Sequence, residues 1–229
     1  MAQAAVAVPA ISEVRFGRFL ALVYLIMAVG MFVTAFIAQS VSDNPEFIKR
    51  TLFNPWFCFG LFMLQIFIVV WLAARADSMA AGAAFLLFLV YSALTGVALS
   101  SIFIYYSQQT IASAFWAAAG MFLLSGLVGF FIKKDLSGLG RFLILALLGY
   151  LFALMMSFFM PYSYGFNNAV TFVGIILFAG LTAWDTQRLK VIASRIPPGA
   201  PIGGKAVNGA LALYLDFINL FLLMLRASR

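Results

Sequence analysis

The sequence predicts an all-α polytopic membrane protein with seven transmembrane helices, and three observations support this fold class. First, 65% of the 229 residues are hydrophobic and only 9% are charged, which leaves too little polar surface to cover a soluble core. Second, seven apolar runs are each long enough, at about 20 residues, to cross about 30 Å of hydrocarbon. Third, five of the seven acidic residues fall outside these runs. The chain is therefore not expected to fold as a soluble domain.

The predicted helices follow a short tail, which we assign to residues 1–18. Arg15 and Arg18 come after the weakly apolar part of this tail and the next run is of full spanning length, so we do not expect a signal peptide. Residues 19–229 then form a single transmembrane domain. Its predicted helices cover residues 19–39, 56–74, 80–104, 110–132, 141–162, 169–186 and 206–226.

The linkers and the helix interiors are consistent with a packed bundle. The last linker is the longest, and Pro197, Pro198 and Pro201 exclude a continuous helix through it. Small residues such as Gly96 and Gly129 are frequent in the third and fourth helices, where they allow close backbone approach. We interpret these residues as packing positions rather than ligand sites.

The distribution of basic residues predicts the orientation. Four basic residues lie on one side of the predicted spans, namely Lys49, Arg50, Arg226 and Arg229. The side of the N-terminus carries ten, namely Arg15, Arg18, Arg75, Lys133, Lys134, Arg141, Arg188, Lys190, Arg195 and Lys205. By the positive-inside rule the N-terminus is cytoplasmic. Seven crossings then leave the C-terminus outside, whereas a re-entrant last segment would return it to the cytoplasm.

Composition also excludes several classes of function. The net charge of +7 comes from residues that flank apolar spans, so we do not predict nucleic-acid binding. Without His, and with Cys58 as the single cysteine, the chain offers no disulfide, thiolate metal site or Cys/His catalytic pair. It also contains no HExxH, GxSxG, P-loop or GxGxxG pattern. We therefore predict neither an enzyme nor a bound cofactor.

Two acidic residues remain inside the predicted helices, Asp185 in the sixth and Asp216 in the seventh. A carboxylate in hydrocarbon is costly, so such a residue is a functional-site hypothesis by default. Asp185 has a simpler alternative, because it precedes Gln187 and Arg188 and could lie at the polar end of its helix. Asp216 has apolar residues on both sides and needs a specific partner.

A pair of intramembrane aspartates suggests two kinds of chemistry. Intramembrane aspartyl proteases use such a pair, but there a Gly-x-Gly sequence precedes the second Asp, whereas here Leu213, Tyr214 and Leu215 precede Asp216. The other possibility is a shared proton, because two carboxyls close together in a low dielectric cannot both ionise comfortably and titrate as a unit. Such a pair senses pH and attracts hard cations such as Ca²⁺, although two acids alone are a sparse Ca²⁺ site.

The predicted helix limits do not by themselves bring the two acids together. Counted from Ala169, Asp185 lies about 24 Å below the outer face, and counted from Ala206, Asp216 lies about 15 Å above the inner face. In a core of about 30 Å these depths differ by about 9 Å. A tilt, a break near Gly209 or a different helix start would be needed to close this gap.

Two motifs carry a family resemblance. The run AWDTQRLK at residues 183–190, followed by LYLDFINLF at residues 213–221, resembles the paired C-terminal signature of the Bax inhibitor 1 family, also called the transmembrane Bax inhibitor motif family. Further similarity lies in TGVALSSIF, AFWAAAGMFLLSGLVGFF and KKDLSGLGRFL. The resemblance extends over most of the chain from about Trp71 to Arg226.

The resemblance implies a fold and a function. In this family a central last helix is wrapped by the other six, and bacterial members are implicated in a pH-sensitive Ca²⁺ leak through the membrane. Asp185 and Asp216 match the family's two sensor aspartates, which would meet Ca²⁺ transiently as the permeant ion. Arg75 is the candidate for an arginine that latches the closed state from the second helix. The family usually has Tyr before the first aspartate, where this chain has Trp184.

The resemblance also implies an alternative, a non-transporting regulator. Other bacterial members resemble modulators of a membrane-anchored AAA protease, and animal members are associated with suppression of cell death through partners. The expected partners are thus the lipid bilayer, Ca²⁺ and, in the alternative, a membrane-anchored protease. The expected location is the bacterial inner membrane.

A proton-coupled carrier is a third class, which the absence of a convincing internal repeat disfavours. The direction of the pH effect remains open, because an ionised pair or a shared proton could each stabilise the closed state.

Overall fold

A computed structural model describes residues 13–157, 164–197 and 199–228, and in these ranges almost the whole chain is helical. A 3₁₀ turn, Ala76–Ser78, follows the third helix. The α-helices are α1 (Glu13–Ser42), α2 (Pro45–Thr51), α3 (Pro55–Arg75), α4 (Ala81–Leu99), α5 (Ile102–Tyr105), α6 (Gln108–Phe131), α7 (Ser137–Ser157), α8 (Tyr164–Arg195) and α9 (Gly203–Ala227).

In the described part of the chain, seven helices are long and apolar enough to cross a membrane, and the predicted fold class is confirmed. These are α1, α3, α4, α6, α7, α8 and α9. The short helix α2 lies in the connection between the first two spans. Local sequence explains where α3 and α6 begin: Asn54 accepts the Trp56 N–H at 3.0 Å, and Ser107 accepts the Thr110 N–H at 3.1 Å.

Several helices extend beyond the predicted apolar runs. The first begins at Glu13, so part of the predicted tail is helical. The largest difference concerns α8, which continues from the predicted limit at residue 186 to Arg195. Hydropathy marks the part of a helix that lies in lipid, whereas the helix itself ends where backbone hydrogen bonding ends. The last five residues of the predicted fifth helix, 158–162, lie outside the described ranges. So do the first twelve residues of the tail.

The last helix is the centre of the bundle. Half of the most apolar window of α9 is buried inside the protein, against 11% for α3. It packs against α1, α3, α4, α6, α8 and the 3₁₀ turn, while α7 packs on the outside of α8. Because α9 is one continuous helix of 25 residues, it has the length of a full crossing rather than of a re-entrant segment.

Close helix contacts depend on glycine at two crossings. A Cβ placed on Gly96 of α4 would lie 2.6 Å from the Thr34 carbonyl oxygen of α1. A Cβ placed on Gly129 of α6 would overlap the Ala183 carbonyl of α8. Lipid offers no hydrophobic drive for helix association, so this close approach supplies packing energy in its place. The second crossing also fixes α8 two residues before Asp185.

Hydrogen bonds hold the face of α9 that carries Tyr214 against α1 and α4. The Thr34 hydroxyl donates to the Ser92 carbonyl at 2.9 Å and lies 2.6 Å from the Tyr214 hydroxyl, so one side chain joins α1, α4 and α9. Tyr214 is fully buried and meets the ring of Phe88 edge-on, with ring centroids 5.5 Å apart. This face of α9 is held by specific polar contacts, which positions the residues on its other face.

Candidate functional site: an acidic pair beside a charged cavity

Successive side chains of the α8 segment from Trp184 to Lys190 contact different neighbours. Two of these side chains, Gln187 and Lys190, bond to the end of α6 and to the connection that follows it. Gln187 accepts the Leu136 N–H at 2.8 Å and donates its amide to the Lys134 carbonyl at 2.9 Å. The ammonium of Lys190 donates to the Phe130 carbonyl at 2.8 Å, near the end of α6. Part of the TQRLK motif therefore has a structural role, because it satisfies backbone groups at a helix end.

Trp184 and Arg188 form a second set of contacts on α8. Trp184 packs onto α7 at Gly140, where any Cβ would overlap the indole ring. The Arg188 guanidinium lies 5.7 Å from the centroid of the Trp184 ring, within the range of a cation–π contact. The aromatic residue before Asp185 thus supports the arginine that follows it.

Asp216 lies in the interior of the bundle. Its side chain is 5% exposed, and among the described residues its Oδ2 atom has no hydrogen-bond partner. Two groups on α8 interact with this carboxyl group electrostatically or by hydrogen bonding, namely the Asp185 carboxylate and the Thr182 hydroxyl. A buried carboxyl oxygen without a partner is costly, and such a group calls for a functional explanation.

Asp185 lines a cavity between α8 and α9. The cavity has a volume of about 160 Å³, enough for several water molecules. Its walls come from one stripe of α8 and one of α9, with an additional acid from the 3₁₀ turn. The lining residues are Asp77, Asp185, Arg188, Leu189, Ile192, Lys205, Asn208, Gly209 and Ala212. Asp216 follows Ala212 by one helical turn on the same face of α9.

Along their helices, the two acids lie at similar distances from the ends that the connection between α8 and α9 joins. Because α8 runs to Arg195, Asp185 lies about 15 Å from that end of its helix rather than at a polar terminus. Because α9 begins at Gly203, Asp216 lies about 20 Å from the corresponding end. The two distances differ by about 5 Å, and no break at Gly209 is needed because α9 is continuous there.

Arg75, the predicted latch, is the last residue of α3, and its side chain is exposed. It is not among the residues that line the cavity; the charged group from this corner that does so is Asp77. The Asn208 amide donates to Asp77 Oδ1 at 3.2 Å and to the Ala73 carbonyl at 3.4 Å, which anchors the end of α3 to α9. The latch assignment stays a prediction.

Sequence reasoning missed three charged residues of this cavity. Asp77 falls between the predicted second and third helices, and Arg188 and Lys205 enter the sequence analysis only as basic residues that indicate orientation. The spacing of Asp185 and Arg188, three residues apart on a helix, could have placed both on one face. Thr186 was also missed: its hydroxyl is buried and lacks a hydrogen-bond partner in the described part of the chain.

The oxygen atoms near the acidic pair form a modest donor set for a cation. Among the described residues, no group of three or more His, Cys, Asp or Glu side chains comes together. Asp185 and Asp216 offer two carboxylates, and Thr182 adds a hydroxyl. Ca²⁺ in a stable site usually takes six to eight oxygen ligands, so this set is smaller than a stable Ca²⁺ site requires.

A second cavity lies toward the other end of α9. It has a volume of about 290 Å³ and almost entirely apolar walls from α1, α4, α5, α6 and α9. Thr34 is at its edge, but this hydroxyl is engaged with Ser92 and Tyr214. The two cavities therefore differ in chemistry, and the one beside Asp185 is the candidate site for ions.

Comparison with known proteins gives a consistent result along the chain. The family model described as inhibitor of apoptosis-promoting Bax1 matches residues 17–228. The inner membrane protein YbhL of Escherichia coli K12 is 42% identical over 210 residues, which cover 91% of this chain and 89% of that protein. An uncharacterised protein of Deinococcus radiodurans is 39% identical, with 90% and 88% covered. One from Borreliella burgdorferi is 36% identical, with 91% and 90% covered.

Proposed function

The chain belongs to the Bax inhibitor family of integral membrane proteins, and on that premise we propose that it is a pH-sensitive calcium leak channel of the bacterial inner membrane. Asp185 and Asp216 are its pH sensor and part of its ion pathway. The observation that carries this proposal is the Asp216 Oδ2 atom, buried without a hydrogen-bond partner in the described residues and acted on by Asp185. Family and fold correspond to no known enzyme class.

In the proposed mechanism the acidic pair changes its proton content with pH, and the closed and open states differ in their affinity for that proton. Such a difference shifts the balance between the states by about 1.4 kcal/mol per unit of difference in their pKa values. Ca²⁺ then moves down its gradient without ATP. The cavity beside Asp185 supports this pathway because it brings polar and charged groups to the pair from one end of the bundle.

Arg75 acts as the latch in this proposal. The end of α3 reaches the cavity through Asp77, which Asn208 holds. In the proposed closed state the Arg75 side chain reaches toward Asp185. By the positive-inside rule this end of the bundle faces the cytoplasm, together with the N-terminus.

The test is Ca²⁺ uptake into dye-loaded liposomes that contain the purified protein, measured from about pH 5 to about pH 8. We expect flux that varies with pH in the wild type and loses this variation in Asp185→Asn and Asp216→Asn, because an amide does not titrate. Asp135→Asn is the matched control, since Asp135 lies between α6 and α7, away from the cavity. If both sensor variants kept the wild-type pH profile, the sensor assignment would be wrong.

The alternative function is a non-transporting regulator that binds a membrane-anchored protease or another partner, and α3 offers a surface for it. The helix α3 presents a wide apolar surface, with Trp56 82%, Phe67 65% and Val70 60% exposed. Lipid covers such a surface in a monomer, and a partner helix would pack on it equally well. Protein that conducts no ion in liposomes at any pH but co-purifies with a protease complex would support this alternative over the channel.

A further inference from the structure

The cavity beside Asp185 contains as many basic as acidic side chains. Two acids, Asp77 and Asp185, and two cations, Arg188 and Lys205, are among its lining residues. Asp185 and Lys205 are half-buried, whereas Asp77 and Arg188 are exposed. Opposite charges that share one cavity reduce the cost of holding each of them there. In the state described here the cavity is thus electrically balanced, and an entering cation would meet two positive charges before it reached Asp185.

Arg188 is positioned for this balance by its own helix. It follows Asp185 by three residues, which places both side chains on one face of α8. Its guanidinium is close enough to attract the Asp185 carboxylate electrostatically. The contact with the Trp184 ring keeps the guanidinium beside the cavity.

Lys205 is positioned by the first turn of α9. This turn packs tightly on the 3₁₀ turn, since a Cβ on Gly204 would overlap the Ala76 carbonyl. The Lys205 side chain is half-buried. Asp77, which also lines the cavity, accepts a hydrogen bond from the Asn208 amide at 3.2 Å. The backbone at Lys205 is therefore held against the 3₁₀ turn, and its side chain lines the cavity.

We propose that Arg188 and Lys205 are resident counter-ions that close the cavity to divalent cations, and that Ca²⁺ reaches Asp185 only when one of these positive charges moves away. The groups facing Asp185 in this arrangement are Arg188 on its own helix, Lys205 and Asp216 on α9, and Asp77 on the 3₁₀ turn. The gating part of this inference rests on the proposed channel function, whereas the counter-ion part does not.

The first experiment measures initial Ca²⁺ uptake into liposomes at one fixed pH. Arg188→Gln and Lys205→Gln each leave the cavity with a net negative charge, so we expect uptake to rise about five-fold over the wild type. Arg188→Lys keeps the charge and should stay near the wild type. Arg195→Gln is the matched control, because Arg195 is exposed at the end of the same helix and does not line the cavity.

The second experiment needs no ion flux and follows thermal unfolding of the solubilised protein. If Arg188 is the counter-ion of Asp185, the effects of Asp185→Asn and Arg188→Gln on the unfolding midpoint are not additive, and the double variant is more stable than their sum implies. Additive effects would overturn the counter-ion assignment. Size-exclusion elution identifies variants that fail to fold. Lys205→Gln, combined with Asp185→Asn, gives the same test of additivity for the other cation.

The two experiments separate two kinds of failure. A wild-type protein that leaks Ca²⁺, with Arg188→Gln and Lys205→Gln no different from Arg195→Gln, would overturn the gating inference and leave the channel function intact. An absence of flux in every variant would overturn the channel function and the gating with it. In that case, the comparison of unfolding midpoints between the single and double variants would still decide between a counter-ion pair and two independent charges.

Discussion

At the scale of single residues, the site depends on a carboxyl group that the fold buries without fully satisfying. Asp216 is 5% exposed, and in the described part of the chain its Oδ2 atom lacks a hydrogen-bond partner. Nearby, Gln187 has both ends of its amide engaged with backbone groups. We therefore expect Asp216 to reduce the stability of the folded bundle and Gln187 to add to it, and substitution distinguishes the two roles.

Replacement of Asp216 by Asn is expected to stabilise the folded protein at neutral pH, because it removes an ionisable group from the bundle interior with little change in shape. The expected gain is about 1 kcal/mol in the free energy of unfolding, or about 2–4 °C in the thermal midpoint. Thermal unfolding in detergent measures it. Asp43→Asn, at an exposed acid, should change nothing. A clear loss of stability in Asp216→Asn would mean that the carboxylate is a stabilising group.

Replacement of Gln187 by Ala should have the opposite effect on stability and none on gating. It removes two hydrogen bonds to the connection between α6 and α7, so we expect a loss of about 1–3 kcal/mol. Limited proteolysis at residues 132–136 and thermal unfolding report this loss. Gln109→Ala on the exposed surface of α6 is the control. An unchanged protease sensitivity would argue against a stabilising role for the two Gln187 hydrogen bonds.

At the scale of helices, α8 is placed by contacts along its length rather than by its apolar run. Gly129 lets α6 approach the backbone at Ala183, and Gly140 gives room to Trp184. The two contacts flank the start of the AWDTQRLK motif on two sides of α8. The position of Asp185 in the bundle therefore depends on small residues in α6 and α7 that carry no chemistry themselves.

Enlargement of Gly129 should displace α8 and weaken the site. A Cβ there has no room beside the Ala183 carbonyl, so Gly129→Ala is expected to cost about 2–3 kcal/mol of stability. Gly120→Ala tests the same change on the same helix where nothing lies within 4 Å of the new Cβ. Its expected effect is neutral or slightly stabilising, because Ala favours helix over Gly. Equal unfolding midpoints for the two variants would contradict the close crossing.

The start of α7 should respond to acid. Asp135 accepts the Ser137 N–H at 2.9 Å, and hydrogen bonds from Ser137 lower the pKa of this carboxyl below its ordinary value. A lowered pKa in the folded state means that the stabilisation is present above the unfolded pKa and is lost as pH falls through the folded pKa. Protection of the amides at the start of α7 from hydrogen exchange, taken relative to the intrinsic exchange rate at each pH, should therefore fall at acid pH in the wild type. In Asp135→Asn that protection should not depend on pH in this range.

At the scale of the whole molecule, the bundle is asymmetric in charge and in packing. Ten of the fourteen basic residues belong to the side of the N-terminus, as counted along the sequence. The charged cavity lies toward the same end, because Arg188 and Lys205 line it. The apolar cavity occupies the other half. The charged cavity thus lies toward the side of the membrane that the positive-inside rule predicts to be cytoplasmic.

Orientation is testable by labelling of introduced cysteines in a Cys58→Ser background. We expect Lys133→Cys to react with a membrane-impermeant maleimide in inverted membrane vesicles and Lys49→Cys to react in spheroplasts, because the two positions lie on opposite sides of the membrane. The reverse labelling pattern would invert the orientation, and the charged cavity would then face outward.

Composition and the spacing of apolar runs determined that the chain is an all-helical membrane protein with seven spans, because lipid requires every backbone group to be satisfied within a helix. The same information drew attention to Asp185 and Asp216, since charge is rare and costly in such runs. Only the tertiary structure decided that α8 continues to Arg195, and that Asp77, Arg188 and Lys205 meet at one cavity. Hydropathy reports where a residue sits relative to lipid, whereas such meetings depend on helix rotation and close packing between segments distant in sequence.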